Sequence, residues 1–392
     1  MHFDLAVIGG GPAGLRAAQL AAAAGLRVAV FDAMPSVGRK LLVAGKGGLN
    51  LTHGEPLETF AGRYRGPDQP PEFWQQVLAD FTPADLCKWA VGLGVETFQA
   101  ANGRIYPWSL KAAPLLRRWV QHLRDGGVRF AMKHRWVSLE PGRPHRLGFA
   151  NGAFVEARAV LLALGGGSWP QTGSDGAWTA VLTDLDVRCH PLTPANCGWE
   201  HPWPPAVLEA AEGKPLKNLH VSADGTKVVG ELMLTRYGLE GGAIYQLGHL
   251  LREMPQPELV IDFKPAHSEP QLLAKLQSVR RDFLTAARSA WKLGDAAHAI
   301  LARRSWPDAV SLAHEAKHCR IPLTGPRPLA EAISSAGGVC WSELDSHLML
   351  TRLPGVFVAG EMIDWEAPTG GYLIHGCLAT ATRAARAAIG WL

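Results

Sequence analysis

The stretch Gly9-Gly10-Gly11-Pro12-Ala13-Gly14 follows an apolar run at 4–9 and opens an alanine-rich segment at 12–24. It fits G-x-G-x-x-G, and the strand before it and helix after it are the context in which that pattern binds a dinucleotide. Gly9 permits the tight turn, Gly11 lets the backbone approach a pyrophosphate, and Gly14 lets the helix pack on the strand. Pro12 and Ala13 start the helix, whose first N–H groups and partial positive charge face the phosphates. Residues 27–32 read as the next strand. It ends in Asp32, about 20 residues beyond the glycines, where a carboxylate takes the adenosine ribose hydroxyls. Ala33 follows, with no arginine next to it for a 2′-phosphate, which disfavours NADP here. This is the opening βαβ of an α/β, Rossmann-type parallel sheet.

These residues alone do not separate FAD from NAD; the far end of the chain does. Gly355-Val356-Phe357-Val358-Ala359-Gly360-Glu361 reads as a strand ending in a glycine and an acid, and Gly370-Gly371-Tyr372 then precedes a helix. In FAD proteins of this architecture, such a strand brings an acid to the ribityl hydroxyls. The next helix N-terminus faces the electron-rich edge of the flavin, where its dipole favours negative charge. The domain that begins the chain therefore also ends it.

Between the two ends, residues 35–53 read as a glycine-rich loop that wraps the cofactor, with Arg39 or Lys40 near phosphate. Helical patterns cover 72–93, broken at Pro83, and 111–125; a strand is expected at 128–139 and a hairpin turns through Asn151-Gly152. The strand at 159–164 ends in Gly165-Gly166-Gly167, at the strand end where open α/β sheets bind ligands. No second nucleotide fingerprint follows, so no dedicated NAD(P)H domain is expected. Residues 190–263 have all-β texture and 269–318 have helical texture. The expected domains are 1–187 with 338–392 for FAD, 188–264 with 321–337 for an inserted β-barrel-like module, and 265–320 for a helical module.

Apolar residues make up 47% of the 392 and charged residues 19%, enough to bury a sizeable core. The net charge of +4 gives no reason to expect nucleic acid as a partner. Cys87, Cys189, Cys197, Cys319, Cys340 and Cys377 form no C-x-x-C pair, which argues against a redox disulfide or a structural zinc. No metal, signal peptide or membrane span is expected, and the protein is read as cytoplasmic.

The residues resemble the aminoacetone-oxidase and bile-acid-reductase type of FAD-dependent oxidoreductases. The match runs through Gly38-Arg39-Lys40-Leu41-Leu42, Asn50-Leu51-Thr52, Gly165-Gly166-Gly167-Ser168 with Thr172-Gly173-Ser174-Asp175-Gly176, Gly230 to Leu239, Glu331 to Val339, and the two C-terminal glycine motifs. The resemblance implies a discontinuous, glutathione-reductase-like FAD domain, an inserted barrel-like domain and a small helical one. It implies non-covalent FAD with Asp32 on the ribose, Arg39, Lys40 and Leu41 in the loop around the cofactor, and Glu361 on the ribityl chain. The backbone of Gly371, Tyr372, Leu373, Ile374 and His375 would lie by the isoalloxazine. Asn50, Val137, Gly165, Gly166, Gly360 and Gly370 complete the expected cofactor set. There are departures: Asp32 stands where the family often has Glu. Gly45-Lys46-Gly47-Gly48-Leu49-Asn50 stands where it often has Gly-Gly-Gly-Arg-Cys-Asn. Thr235-Arg236-Tyr237-Gly238 replaces Thr-His-Tyr-Gly.

The candidates for proton transfer are His375, His53 and Tyr372, histidine because it titrates near neutral pH. Arg236 and Tyr237 are candidates for the substrate side, and Trp199 and Trp203 are expected in the barrel core. The reading is an FAD-dependent oxidoreductase acting on a small organic substrate between the FAD domain and the inserted module. NADH, NADPH or oxygen is the electron partner. The competing readings are a non-catalytic flavoprotein and an FAD-dependent RNA-modifying enzyme.

Overall fold

A computed structural model describes residues 2–45 and 47–392; Lys46, part of the loop read as wrapping the cofactor, lies outside the described residues. The chain forms two compact units, Met1–Thr193 with Ile333–Leu392, and Pro194–Ala332.

In the first unit, β1 (His2–Ile8) leads through α1 (Pro12–Ala23) to β2 (Val28–Asp32). A short α2 (Arg39–Ala44) follows. After helices and a small three-stranded sheet between residues 52 and 125, the main sheet continues with β3 (Arg129–Met132), β4 (Trp136–Glu140), β5 (His145–Phe149) and β6 (Phe154–Leu162). The unit closes with β7 (Val356–Val358) and α3 (Tyr372–Trp391). The sheet order is β3-β2-β1-β6-β5-β4, with β7 also pairing β6. β3, β2, β1, β6 and β7 run parallel, while β5 and β4 are antiparallel. β1 and β2 are nearly continuous apolar runs because both their faces are covered. α1 and α3 pack together through small residues such as Ala17, Ala21, Ala381 and Ala384, all fully buried. Arg16 Nε donates to Thr382 Oγ1 at 3.0 Å across that contact.

Three local expectations change. The strand read at 128–139 is two strands, because Lys133 takes a left-handed turn (φ 61°). Its amide and that of His134 then donate to the Met34 and Asp32 carbonyls. The second hairpin strand and the strand at 159–164 are one element, β6; Arg158, which breaks the apolar run, faces out toward Asp4 at 3.5 Å. The loop read at 35–53 contains α2, entered through left-handed Gly38.

The second unit holds a seven-stranded antiparallel sheet in the order Cys319–Pro322, Glu258–Asp262, Pro215–Ala223, Thr226–Thr235, Gly238–Glu240, Trp199–Glu200, Gly325–Pro326. Helices between 242 and 318 share one core with it, where Val221 and Ile261 pack with Leu272, Ile300 and Leu312. Trp199 and Trp203 are buried in that core. Among the described residues, no helix is long and apolar enough to cross a membrane.

Candidate functional site

β1 ends at Ile8 and the chain turns through Gly9 with φ 104°. A β-carbon on Gly9 would fall 2.3 Å from the Ala163 carbonyl oxygen, and one on Gly14 would fall 1.9 Å from the Gly9 carbonyl oxygen. Both glycines are therefore required by the turn itself. Gly11 differs: a β-carbon there meets nothing within 4 Å. That open space lies at the N-terminus of α1, where the first N–H groups lack helical partners. It is the space a pyrophosphate needs.

Asp32 is fixed beside the turn. Its Oδ2 accepts from the Gly10 amide and its Oδ1 from the Met34 amide, both at 2.8 Å. Burial raises its pKa, against the two amides and the nearby Arg39, which lower it.

The last strand completes the site. Gly360, left-handed at φ 79°, follows β7 so closely against α1 that a β-carbon there would lie 3.0 Å from Ala13 Cβ. The Gly360 amide donates to Thr380 Oγ1 on α3 at 3.0 Å, and its carbonyl accepts from Trp365 Nε1 at 2.8 Å. Glu361 is thereby aimed at Lys40, whose Nζ lies 3.0 Å from Glu361 Oε2 and 2.6 Å from Ser168 Oγ.

A cleft with about 730 Å³ of empty space, part of it open to solvent, joins these pieces. Gly9, Gly11, Pro12, Ala13, Asp32, Ala33, Arg39, Lys40, Leu41, Gly165, Gly360 and Glu361 of the expected set line it. Gly10, Ser36, Gly38, Ala163, Leu164, Thr172, Gly173, Ser174, Ala359 and Cys377 line it too and were not singled out as cofactor residues. The glycine-rich run at 163–176 carried a signal for several of them. Burial pushes the Cys377 thiol well above its usual range, so it is no thiolate.

The remaining expected residues lie outside the cleft. Gly14 is packed under the turn and Gly166 against Ser335. Val137 is half-exposed on β4 at a register shift. Gly370 and Gly371, both left-handed, lead into α3, and Gly371 lies against the Thr52 backbone, which a β-carbon would approach to 2.6 Å. Leu373 and Ile374 are half-buried in the first turn of α3.

The three proton-transfer candidates share one neighbourhood with different freedoms. His375 is fully buried. Its Nε2 donates to the Phe81 carbonyl at 2.8 Å, so its Nδ1 accepts from Thr52 Oγ1 at 2.7 Å. Burial lowers its pKa to about 4, so the ring is neutral and both nitrogens are spent. His53 donates to the Asn102 carbonyl at 3.0 Å and accepts from the Glu55 amide at 3.1 Å. Tyr372 stacks on His53 and donates to Glu55 Oε1 at 2.7 Å. Glu55 is also held by Arg63 through two hydrogen bonds. Burial, and then Glu55, raise the Tyr372 pKa well above the ordinary phenol value. Burial pushes Glu55 up, but Arg63 and Tyr372 outweigh it and hold it below the usual range. Arg236 and Tyr237 belong to the second unit, where Arg236 is exposed beside Glu212 and Tyr237 donates to Glu240 under the Arg327 guanidinium.

Two orphaned groups test whether FAD fits. Both side-chain atoms of Asn50 and Nε of Arg39 are buried with no hydrogen-bond partner among the described residues. Buried polar atoms are rarely left unpaired. Arg39 lines the cleft, and its unmet donor there, together with the space at Gly11, fits FAD.

Sequence and structure comparisons agree with this geometry. The HI0933-like protein Rossmann domain matches residues 3–387. The chain is 28% identical over 417 residues to a 3-dehydro-bile acid delta(4,6)-reductase of Clostridium scindens, covering 98% of each protein. It is 25% identical over 387 residues to a ribosomal RNA dihydrouridine synthase of Escherichia coli, covering 95% of this chain and 94% of that one. In fold it is similar to a 3-ketosteroid-delta4-(5alpha)-dehydrogenase from Rhodococcus jostii RHA1, with a TM-score of 0.56 and 18% identity over 99% of this chain and 97% of that one. A 3-ketosteroid delta1-dehydrogenase from Sterolibacterium denitrificans gives a TM-score of 0.54 at 12% identity, covering 99% of each.

Proposed function

Because the chain belongs to the HI0933-like Rossmann-domain family, we propose that this FAD-dependent oxidoreductase reduces a carbon–carbon double bond conjugated with a carbonyl group. Two kinds of relative support the reading: one is named for reducing delta(4,6) bonds of a 3-dehydro bile acid, the other for making dihydrouridine. Both products arise by adding a hydride to one alkene carbon and a proton to the other. Bound FAD supplies the hydride chemistry, and the protein supplies position and the proton.

The observation that carries the reading is the single cleft built by both chain ends, with Gly360 against Ala13 and Glu361 against Lys40. Asp32 would hold the adenosine ribose, the α1 N-terminus the pyrophosphate, and Glu361 and Lys40 the ribityl chain. Asn50 and the first turn of α3, from Gly371 through Leu373 and Ile374, would hold the flavin. Tyr372 delivers the proton. The Glu55–Arg63 pair fixes its hydroxyl, Arg63 offsets the negative charge left when the proton goes to the substrate, and solvent restores that proton. His375 is assigned to structure, locking Thr52 to the start of α3.

A second reading, the same reduction on a uridine of ribosomal RNA, has one observation in its favour. The second unit has a pocket with about 950 Å³ of empty space, part of it open to solvent, lined by Lys217, Lys264, His267 and Lys292 among others. The net charge of the whole chain does not reveal this local cluster of cations.

The deciding experiment is stopped-flow mixing of the oxidised flavoprotein with NADH or NADPH. The reduced enzyme is then mixed, without air, with an α,β-unsaturated ketosteroid, with undermodified ribosomal RNA, or with oxygen. Flavin reoxidation by an alkene substrate, with a two-hydrogen mass gain in that substrate, supports the reading. Reoxidation by oxygen alone sinks it in favour of an oxidase, and purified protein that binds no FAD sinks both.

A further inference from the structure

Away from the cofactor cleft, the second unit brings two histidines and a carboxylate together. His314 and His318 sit four residues apart on the helix Ala309–His318, so their imidazoles share one face, one turn apart. Asp308 caps that helix by accepting from the Ser311 amide. Opposite them is Glu269, the first residue of the helix Glu269–Ala274. Its position is set by a capping box between Ser268 and Gln271 and by Pro270 in the first turn.

His314 Nδ1 lies 3.2 Å and His318 Nε2 lies 3.1 Å from the same oxygen, Glu269 Oε1. One ligand atom from each residue lies within 4.8 Å of the other two. An ion bound tetrahedrally to imidazole nitrogen and carboxylate oxygen at about 2.0–2.2 Å sets neighbouring donors about 3.3–3.6 Å apart. Two of the three edges are thus close to bonding size, and rotation of the exposed rings closes the third.

The surrounding charges are engaged elsewhere. Lys317, between the two histidines in sequence, binds Asp262 and the backbone carbonyls of Lys264 and His267. Glu315 is held by Arg303 and Arg304. The Glu269 oxygen can accept a ring N–H from each imidazole, and the same nitrogens, turned to present their lone pairs, can ligate one cation beside it. His314 is 65% and His318 52% exposed, so an ion can enter and water can fill its remaining positions.

We propose that Glu269, His314 and His318 form a site for one divalent transition-metal ion, of the zinc type. Two imidazoles and one carboxylate suit borderline ions and not magnesium or calcium, which take oxygen ligands. The ion ties the helix Ala309–His318 to the start of the helix Glu269–Ala274. Its binding releases protons and weakens as pH falls, because each imidazole must be neutral. The cysteine spacings carried no zinc signal; the His-x-x-x-His spacing on a helix does.

The test uses the full-length, FAD-loaded protein, stripped with a chelator and titrated with ZnCl₂ against a chromophoric indicator. The expected result is one equivalent bound at about micromolar or tighter affinity. Glu269→Gln and His314→Ala each weaken it roughly tenfold or more, and the H314A/H318A double variant loses that equivalent. Cobalt(II) in the same site gives a visible ligand-field band that disappears in the double variant. Circular dichroism and bound-flavin absorbance report whether the variants fold. Equal zinc uptake by folded wild type and double variant overturns the site, as does a wild type that takes up no zinc.

Discussion

The Lys40 ammonium lies 3.0 Å from Glu361 Oε2, joining α2 to the segment just after the last strand, 321 residues away. Ser168, from the glycine-rich loop after β6, accepts from the same ammonium at 2.6 Å. Three separate segments therefore meet at one partly buried charge. Removing Glu361 as Glu361→Ala takes away both the expected ribityl ligand and the partner of Lys40. A hydrogen bond to a charged group contributes about 1.5–3 kcal/mol, so FAD should dissociate roughly ten- to a hundredfold more readily. Titrating apoprotein with FAD by fluorescence quenching measures this. An unchanged dissociation constant refutes the assignment of Glu361.

Tyr372→Phe keeps the ring that stacks on His53 and removes only the hydroxyl that donates to Glu55. The expected outcome is near-normal FAD affinity with turnover lowered by about 10²–10⁴, the usual contribution of a positioned proton donor. Steady-state kinetics beside an FAD titration separate the two effects. A variant with full turnover removes Tyr372 from the mechanism.

The parts of the site that were legible in the sequence are those set by local chemistry. Gly9 to Gly14 and Asp32 announce themselves because the turn, the helix start and the strand end lie within one βαβ unit. Gly360 and Glu361 were legible because they follow a short apolar strand. Lys40 meeting Ser168 was not, since 128 residues separate them and only the sheet order brings them together. Nor was the fate of His375: its place in the motif suggested chemistry, but burial between Thr52 and Phe81 depends on distant segments. β6 reads as two strands in the sequence because Arg158 interrupts its apolar run; in the structure its halves also differ in partner on one edge, β5 and then β7.

The buried His375 predicts a pH dependence. Its pKa is lowered to about 4 in the folded protein, mainly by burial, from an unfolded value near 6.5. Above the unfolded value both states are neutral and the full stability is present. As pH falls from 6.5 toward 4, only the unfolded chain takes up the proton, and stability is lost, by up to about 3 kcal/mol. His375→Gln keeps a donor and an acceptor but cannot titrate. It should cost about 1–3 kcal/mol at pH 8 through imperfect hydrogen bonds, and should lose less than the wild type on acidification. Urea unfolding at pH 8, 6 and 5 makes the comparison, and parallel losses in the two proteins would falsify the assignment.

Gly11 and Gly14 separate binding from folding. Both belong to the same six-residue turn, and both are expected cofactor residues, but the structure gives them different neighbours. A methyl group on Gly14 would press into the Gly9 carbonyl oxygen at 1.9 Å, with the Gly9 carbonyl carbon and Val7 Cγ1 each at 3.1 Å. Neither the backbone nor the buried Val7 can give way without opening the turn between β1 and α1. Gly14→Ala should therefore destabilise the protein by about 1–3 kcal/mol, the usual overpacking cost, whether or not FAD is present. A methyl group on Gly11 meets nothing in the protein within 4 Å, and its φ of −77° suits any residue. Gly11→Ala should leave the stability of the apoprotein within about 0.5 kcal/mol of wild type. The same methyl group stands where the pyrophosphate must approach the backbone, so FAD affinity should fall by more than about tenfold. Thermal unfolding of both apoproteins, followed by FAD titration, reads the two effects apart. If Gly11→Ala bound FAD normally, the open space beside Gly11 would not be the phosphate site, and the reading of the whole N-terminal turn would have to change.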